Sequence, residues 1–375
     1  MKHRPIKALI LTHNLRQNLS LVKTHTHNIP TWAVVKANAY GHGLEVALRG
    51  FAKSEGIALL DIEHAALARD LGWQGKILLL EGVFSKSDYD EITRLSLDVV
   101  IHQELQTTWL IEWMANASSP LREQFIKHCA VWLKLNSGMN RLGFKSAQYG
   151  VSYEILKNMG VEVNHMTHFA NADDPSKTPT VMTQWEVFCK ATQYFDGIKS
   201  AANSAAIISH PLTHAGMSRP GIMLYGASPS GNYQDIASLG LKAGMSLRSE
   251  IIAIQELQAG DHVGYGSQYQ ATKNTSIAVI ACGYADGYPR HAPNGTPVWI
   301  GKMGNIAEGQ IAPIVGRVSM DMLMVDVTEI PHAQVASPVE LWGELLPIDH
   351  VATAAHTVGY ELMCGLASRV TVEVI

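Results

Sequence analysis

An α/β fold is predicted: an N-terminal eight-stranded α/β barrel of the TIM type over residues 1–235, followed by a C-terminal all-β domain over 236–375. Three observations predict it. Eight short apolar runs alternate with helix-like segments through residue 225 or so, as in a parallel sheet wrapped by helices. A polar residue stands at or just past the end of each run, namely Lys36, Asp61, Glu81, His102, Lys134, His168, Asn203 with Ser204, and Arg219. A barrel gathers such side chains at one mouth, whereas periodicity alone fits an open doubly wound sheet equally well. Past Leu239 helical spacing gives way to β-rich segments separated by Gly, Asn and Pro turns.

The elements follow in chain order. Ile6–Leu11 reads as a first strand, with the option of pairing with the β domain rather than the barrel. Thr12 suits an N-cap, and Leu15, Asn18, Leu19 and Val22 follow at helical spacing. The barrel runs are Trp32–Val35, Ile57–Leu60, Ile77–Leu80, Asp98–Ile101, Ala130–Leu135, Val161–Thr167, Ile198–Ala201 and Gly216–Ser218. The last of these is the weakest. Between them, Leu44–Lys53, Glu63–Leu71, Gln103–Met114 and Met182–Phe195 read as helices. Ser228 to Gly240 reads as a linker by its Pro, Ser and Gly content. The β domain then offers Leu247–Ile254, Ser276–Cys282, Thr296–Ile300 and Met320–Val327, with a turn at Asn294-Gly295.

Composition narrows the function classes. At 375 residues, with 47% hydrophobic and 17% charged residues, the chain is an ordinary globular protein of about two domains. A formal net charge of −4 gives no basic footprint for nucleic acid. Cys129, Cys189, Cys282 and Cys364 are scattered without a CxxC pair and read as reduced thiols. Ile6 to Leu11 is interrupted by Lys7 and too short for a signal-peptide core. No run reaches the roughly 18 apolar residues of a membrane span. A soluble, cytoplasmic protein without nucleic-acid, membrane or metal partners is the expectation.

The centre of the sequence is Thr31-Trp-Ala-Val-Val-Lys-Ala-Asn-Ala-Tyr-Gly-His-Gly43. A buried strand ends at Lys36, and Gly41 and Gly43 allow a tight turn before the next helix. A lysine buried at a strand's carboxyl end would lose proton affinity and could act as a Schiff-base nucleophile. By position alone it could equally snorkel into solvent. The other polar residues carry the same two readings. His168, in H-F-A-N-A-D, is an active-site or a structural histidine. Asn203 and Ser204 start a helix, where they either cap it or help receive a phosphate. Arg219, in M-S-R-P-G-I-M-L-Y-G, has no carboxylate nearby in sequence. Lys134, inside an apolar strand, is costly unless paired or modified. Tyr265 lies between glycines in V-G-Y-G-S-Q-Y, where packing is the ordinary role.

Together these motifs, with G-Y-A-D-G-Y at Gly283–Tyr288 and G-R-V-S-M-D at Gly316–Asp321, resemble the alanine racemases, fold-type III enzymes that use pyridoxal 5′-phosphate (PLP). The resemblance spans about residue 6 to 370. It implies that Lys36 carries PLP covalently and is one catalytic base. Tyr40, Ser204, Gly221 and Ile222 would contact the cofactor phosphate, with Asn203 at the same helix start. His168 would pack near the cofactor ring, and Arg219 would face its pyridine nitrogen. Arg141 would anchor the substrate carboxylate, oriented by Lys134 if that lysine is carbamylated.

Racemisation needs proton removal on one face of Cα and delivery on the other, so two bases serve it without moving the substrate. The resemblance makes Tyr265 the second base, assisted by His168 and Arg219, and places Tyr284 and Met320 in the substrate pocket. It also implies a homodimer in which Tyr265, Tyr284 and Met320 come from the partner subunit. The implied activity is L-alanine to D-alanine interconversion, supplying D-alanine as a peptidoglycan precursor or degrading it. A broad-specificity racemase and a non-catalytic PLP-carrier protein are the alternatives, and the carrier lacks the β domain. Two positions depart from the family pattern: Ser200, where some members support the arginine with a histidine, and Ser368, where some have a phosphate-contacting tyrosine.

Overall fold

The computed structural model describes residues 4–375. Its strands are β1 (Lys7–Ile10), β2 (Trp32–Val34), β3 (Gly56–Leu59), β4 (Lys76–Leu79), β5 (Asp98–Ile101), β6 (Ala130–Lys134), β7 (Glu162–Met166) and β8 (Lys199–Ser200). They are followed by β9 (Met245–Leu257), β10 (His262–Val263), β11 (Tyr269–Gln270), β12 (Thr275–Ile280), β13 (Pro297–Lys302), β14 (Asn305–Pro313), β15 (Leu323–Asp326), β16 (Pro338–Trp342) and β17 (Thr371–Val374). Two compact units result. One comprises Leu19–Ala39 and Ala47–Leu224; the other comprises the chain through Asn18, Tyr40–Val46 and Tyr225–Ile375.

In the first unit β2 to β8 pair in sequence order, all parallel. Every residue of β3, β5 and β6 is buried, which is why these strands read as largely apolar runs. Helices Ile62–Asp70, Asp88–Leu95, Glu104–Asn116, Ser119–His128, Ser146–Asn158 and Val181–Thr192 connect them. Asp61, a candidate mouth residue by sequence, caps the first of these helices by accepting from the His64 amide at 2.9 Å.

The eighth run forms no regular strand, yet it closes the sheet. Met217 donates its N–H to the Lys199 carbonyl at 3.1 Å and Arg219 to that of Ala202 at 2.9 Å. On its other edge Ser218 donates to Pro30 at 2.9 Å, while Trp32 and Val34 donate to Ser218 and Pro220 at 2.9 and 3.1 Å. Residues 217–220 therefore bridge β8 to β2 in parallel.

The second unit is built on a sheet ordered β14-β13-β16-β9-β1-β17, with β12 paired to both β9 and β15. The 13-residue β9 serves two ladders: its start pairs with β1 and β16, and its end with β12. β1 also pairs in parallel with β17, so strands from the two ends of the described chain lie side by side. The unit is not purely β. Gln234–Leu239 is a helix ended by Gly240 at φ 72°, within the stretch read as a linker, and Ile348–Ala354 and Gly359–Cys364 are two more. No helix among the described residues is long and apolar enough to cross a membrane.

Candidate active site

Past β2 the backbone leaves the ordinary conformations. Ala37, Asn38 and Ala39 lie at φ/ψ of 53/52°, 50/48° and 55/51°, and Tyr40 follows at φ 52°. Four consecutive left-handed residues without a glycine cost roughly 1–2 kcal/mol each. Burial of Ala39 and Tyr40 and the 2.9 Å bond from the Ala39 amide to the Val35 carbonyl hold the turn. Such over-determined strain is typical of functional sites. Lys36 heads this turn with its side chain exposed, which corrects the expectation of a buried lysine.

Across the same mouth the Arg219 guanidinium is buried. It donates to the Ser200 hydroxyl and the Thr167 carbonyl at 2.5 Å each, to the Ala201 carbonyl at 3.4 Å, and lies 3.5 Å from His168 Nδ1. All these partners are uncharged or neutral-tending, and among the described residues no carboxylate pairs with it. Burial pushes its pKa down to about 10, so it remains protonated at neutral pH. The departure at Ser200 is thereby accounted for: a fully buried serine hydroxyl accepts from Arg219 and donates to the Met217 carbonyl at 2.7 Å.

His168 is held well below the usual histidine range by burial, then by the positive charges of Arg219, Lys134, Arg141 and Lys36. Four sequence-nominated cations thus surround one neutral imidazole. Lys134, at the end of β6, is buried, and burial with Arg219 and Arg141 lowers its pKa to about 8, Glu81 opposing. Its ammonium has no ion-pair partner among the described residues. Asn136, Ser137, Arg141 and His168 line the small space beside it. Arg141 itself is exposed. His102 is held low by burial and then by Lys134, and its Nε2 lies 3.1 Å from the Glu81 carbonyl.

The helix Ser204–Ser209 begins where the sequence placed it. Asn203 is its cap, accepting from the Ala206 amide at 3.0 Å. The buried Ser204 oxygen accepts from the amides of Gly221 at 2.9 Å and Met223 at 3.4 Å, tying the two nominated segments together. Its O–H has no acceptor among the described residues.

Some contributors were not nominated from sequence. The buried Gln184 donates to the His168 carbonyl and to the Ser137 hydroxyl at 3.3 Å each, and accepts from the Ala170 amide at 2.8 Å, fixing the loop that carries His168. Ser137 and Thr167 hydroxyls meet at 2.7 Å. Only the polar character of a residue on an otherwise amphipathic helix marked Gln184.

In the second unit the buried Tyr40 stacks on Tyr225 at 4.6 Å and lies 5.8 Å from the ring of Tyr360. Burial, then Tyr360 and Cys364, holds its phenol protonated. Ser368 is exposed, and the tyrosines beside Tyr40 are Tyr225 and Tyr360. Tyr265 is 72% exposed on a short 3₁₀ turn whose flanking Gly264 and Gly266 sit at φ 68° and 73°. Tyr284 and Met320 are also exposed, and their backbones are joined: the amides of Tyr284 and Ala285 donate to the Ser319 and Met320 carbonyls at 3.0 Å each.

Both parts of the chain have counterparts among known proteins. Residues 10–229 match the alanine racemase N-terminal domain and residues 244–374 the C-terminal domain. The chain is 50% identical to the alanine racemase of Janthinobacterium sp. (strain Marseille) over 98% of both chains, and 47% identical to that of Erwinia tasmaniensis over 99% of both. Its fold matches the biosynthetic alanine racemase of Pseudomonas aeruginosa with a TM-score of 0.90 at 40% identity, covering 100% of both chains. It also matches the Bartonella henselae alanine racemase with covalently bound pyridoxal phosphate, TM-score 0.85 at 25% identity over 100% of both. With both domains matched and half of its residues shared along nearly the full length, the chain belongs to the alanine racemase family.

Proposed function

We propose that this chain interconverts L- and D-alanine with pyridoxal 5′-phosphate as cofactor. One observation carries the reading: Lys36, Lys134, Arg141 and Arg219 act together on His168, and Arg219 has only neutral partners. Such a mouth suits an anionic phosphate ester, a ring nitrogen that accepts without being protonated, and a substrate carboxylate. PLP, when bound, supplies an electron-withdrawing ring conjugated to the substrate nitrogen, which acidifies the Cα–H bond.

Each residue then has a role. Lys36 holds the cofactor and exchanges the Cα proton of the D-enantiomer. Tyr265 of the partner subunit exchanges that of the L-enantiomer from the opposite face. Arg219 would meet the ring nitrogen as a donor that keeps its own proton, leaving the cofactor a weaker electron sink than a protonated ring would be. Protonation accordingly returns to Cα, which favours racemisation over transamination. His168, neutral at working pH, packs beside Arg219 without adding charge. Tyr40, the Ser204 hydroxyl and the backbone at Gly221 and Ile222 take the phosphate, with Asn203 fixing the helix start.

Arg141 receives the substrate carboxylate. Lys134, with a pKa near 8, presents a neutral amine in about a tenth of molecules at pH 7. It can therefore add carbon dioxide, lose a proton, and become the anion that orients Arg141. Tyr284 and Met320 of the partner subunit limit side-chain size, and the working unit is a homodimer.

A chiral assay with L-alanine, L-serine and L-lysine in deuterated water tests this by following Cα exchange and inversion together. Rapid inversion of alanine with little of the others is expected. Comparable inversion of lysine would make the enzyme broad in specificity. Bound PLP without any exchange would overturn the reading.

A further inference from the structure

We infer that Asp286 is a positioning residue for the substrate pocket, its carboxylate clamped between Arg4 and Arg369 so as to fix the spacing of the Tyr284 turn and the Met320 loop. The inference rests on the alanine racemase reading and deepens it. The Asp286 side chain is fully buried, and it ties its own turn to the two arginines, Arg4 and Arg369, from distant parts of the sequence. Oδ1 accepts from Arg4 Nη1 at 2.6 Å and from Arg369 Nε at 2.8 Å. Oδ2 accepts from Arg4 Nη2 at 2.8 Å and from the Gly283 amide at 2.9 Å. Its backbone carbonyl accepts from Ala367 at 3.1 Å.

The same two arginines reach the second loop. Arg4 Nη2 donates to the Asp321 carbonyl at 2.6 Å, and Arg369 Nη2 to Asp321 Oδ1 at 2.7 Å. Each arginine therefore spans Asp286, two residues past Tyr284, and Asp321, one residue past Met320. Gly283 shows how close the loops lie: a Cβ there would meet the Ser319 and Met320 carbonyls at 2.4 Å. Attraction from the clamp and the missing side chain act in the same direction, and the 3.0 Å bonds from Tyr284 and Ala285 to the 319–320 carbonyls are the outcome.

The charge balance explains why all members are needed. Burial opposes ionisation of Asp286, but the hydrogen bonds from Arg4, Arg369 and Gly283 outweigh it and hold its pKa below the usual carboxylate range. Losing one arginine leaves a buried carboxylate short of partners and frees one link between the two loops. Arg4, far from any motif of the reaction in sequence, thereby bears on pocket size.

The test is kinetic and uses the full-length enzyme loaded with PLP. Arg4→Gln and Asp286→Asn are compared with wild type for kcat and KM on L-alanine and L-serine, and for amide hydrogen exchange at Tyr284 and Ala285. In both variants KM for alanine should rise, kcat should change less, and the serine-to-alanine ratio of kcat/KM should rise about five- to tenfold. The two amides should exchange faster. Arg4→Lys should recover part of the loss. If Asp286→Asn does not fold, Arg4→Gln decides, because Arg4 lies at the edge of the cluster. An unchanged ratio with unchanged exchange in folded, active variants overturns the inference. Wild type that fails to racemise alanine overturns the functional reading beneath it, and that is seen before any variant is made.

Discussion

The fully buried His165 makes stability depend on pH in a way that can be worked from its surroundings. Nδ1 lies 2.7 Å from the Tyr149 hydroxyl and Nε2 3.1 Å from the Asp196 carbonyl, with the Tyr153 ring stacked at 5.6 Å. In the neutral tautomer Nε2–H donates to Asp196 and Nδ1 accepts from Tyr149. A second proton would turn Tyr149 into an acceptor, its own hydrogen moving to the Leu133 carbonyl 3.2 Å away. Every bond has a partner in either state, so the penalty is burial of the charge. Burial pushes the His165 pKa from 6.5 to about 4.

Because the folded pKa lies below the unfolded one, the unfolded chain binds more protons between the two values. The stability involved is intact above pH 6.5 and is lost as pH falls through the window. Linkage gives a loss of about 2 kcal/mol at pH 5 and about 3 kcal/mol at pH 4. Asp349 runs the other way: burial raises its pKa to about 6, so acid relieves a cost it imposes at neutral pH. Total stability therefore mixes opposite trends, and a difference is needed. His165→Gln cannot take the proton. It should be less stable than wild type at pH 8, and the gap should close by about 2 kcal/mol at pH 5. Urea midpoints at pH 8, 6.5 and 5, at one protein concentration, measure this. A gap that stays constant over that range would refute the burial argument.

The remaining predictions concern the site and the backbone. Lys36→Ala should abolish inversion of alanine in the chiral assay, and full activity there would end the proposed mechanism. Tyr265→Phe should stop Cα deuterium uptake from L-alanine while leaving slow, non-inverting exchange on D-alanine; equal loss on both would remove the two-base assignment. Asp349→Asn keeps an acceptor for the Ser228 amide, 2.7 Å away, and removes the buried charge. It should stabilise by about 1–3 kcal/mol at pH 8 and by about 0.5 kcal/mol or less at pH 4, read from urea midpoints. Gly226→Ala would put a Cβ 1.8 Å from the Lys242 carbonyl at φ 84°, whereas Gly231→Ala at φ 77° meets nothing within 4 Å. The first should cost several kcal/mol and the second about 1 kcal/mol, as Tm differences.

The barrel was legible because buried parallel strands are continuous apolar runs, and Ala130–Lys134 needs nothing more to be read. The closing segment was nearly illegible because Gly216-Met217-Ser218 has no strand propensity of its own. Its conformation is imposed by carbonyls and amides of β8 and β2 on its two sides. The helices Ile348–Ala354 and Gly359–Cys364, of seven and six residues, are too short to show a period. Lys36, Lys134 and Arg219 could be read from strand ends, since a barrel gathers strand ends; Arg141 came only from the family resemblance. Gln184 and Ser200 could not, because their part depends on which loop each one faces. The left-handed turn after Lys36 has no signal in Ala37 and Ala39 and only a weak one in Asn38; tertiary packing overrides the alanines' preference.

Three departures from local rules in the barrel unit fall at one mouth. A left-handed run follows Lys36 and, among the described residues, a buried lysine ends β6 without an ion-pair partner and a buried arginine bonds only neutral groups. Lowering Lys134 from 10.5 to about 8 and Arg219 from 12.5 to about 10 corresponds to roughly 3 kcal/mol of unfavourable environment for each charge. A fold selected only for stability would replace both with apolar residues of similar size at little loss. Keeping them makes sense if something anionic relieves the cost when it arrives. A phosphate ester, a carbamate and a substrate carboxylate would each do so, and each would be bound more tightly for it. The electrostatic cost of holding these charges is thus a source of affinity, and it lies on the same side chains that the proposed chemistry requires.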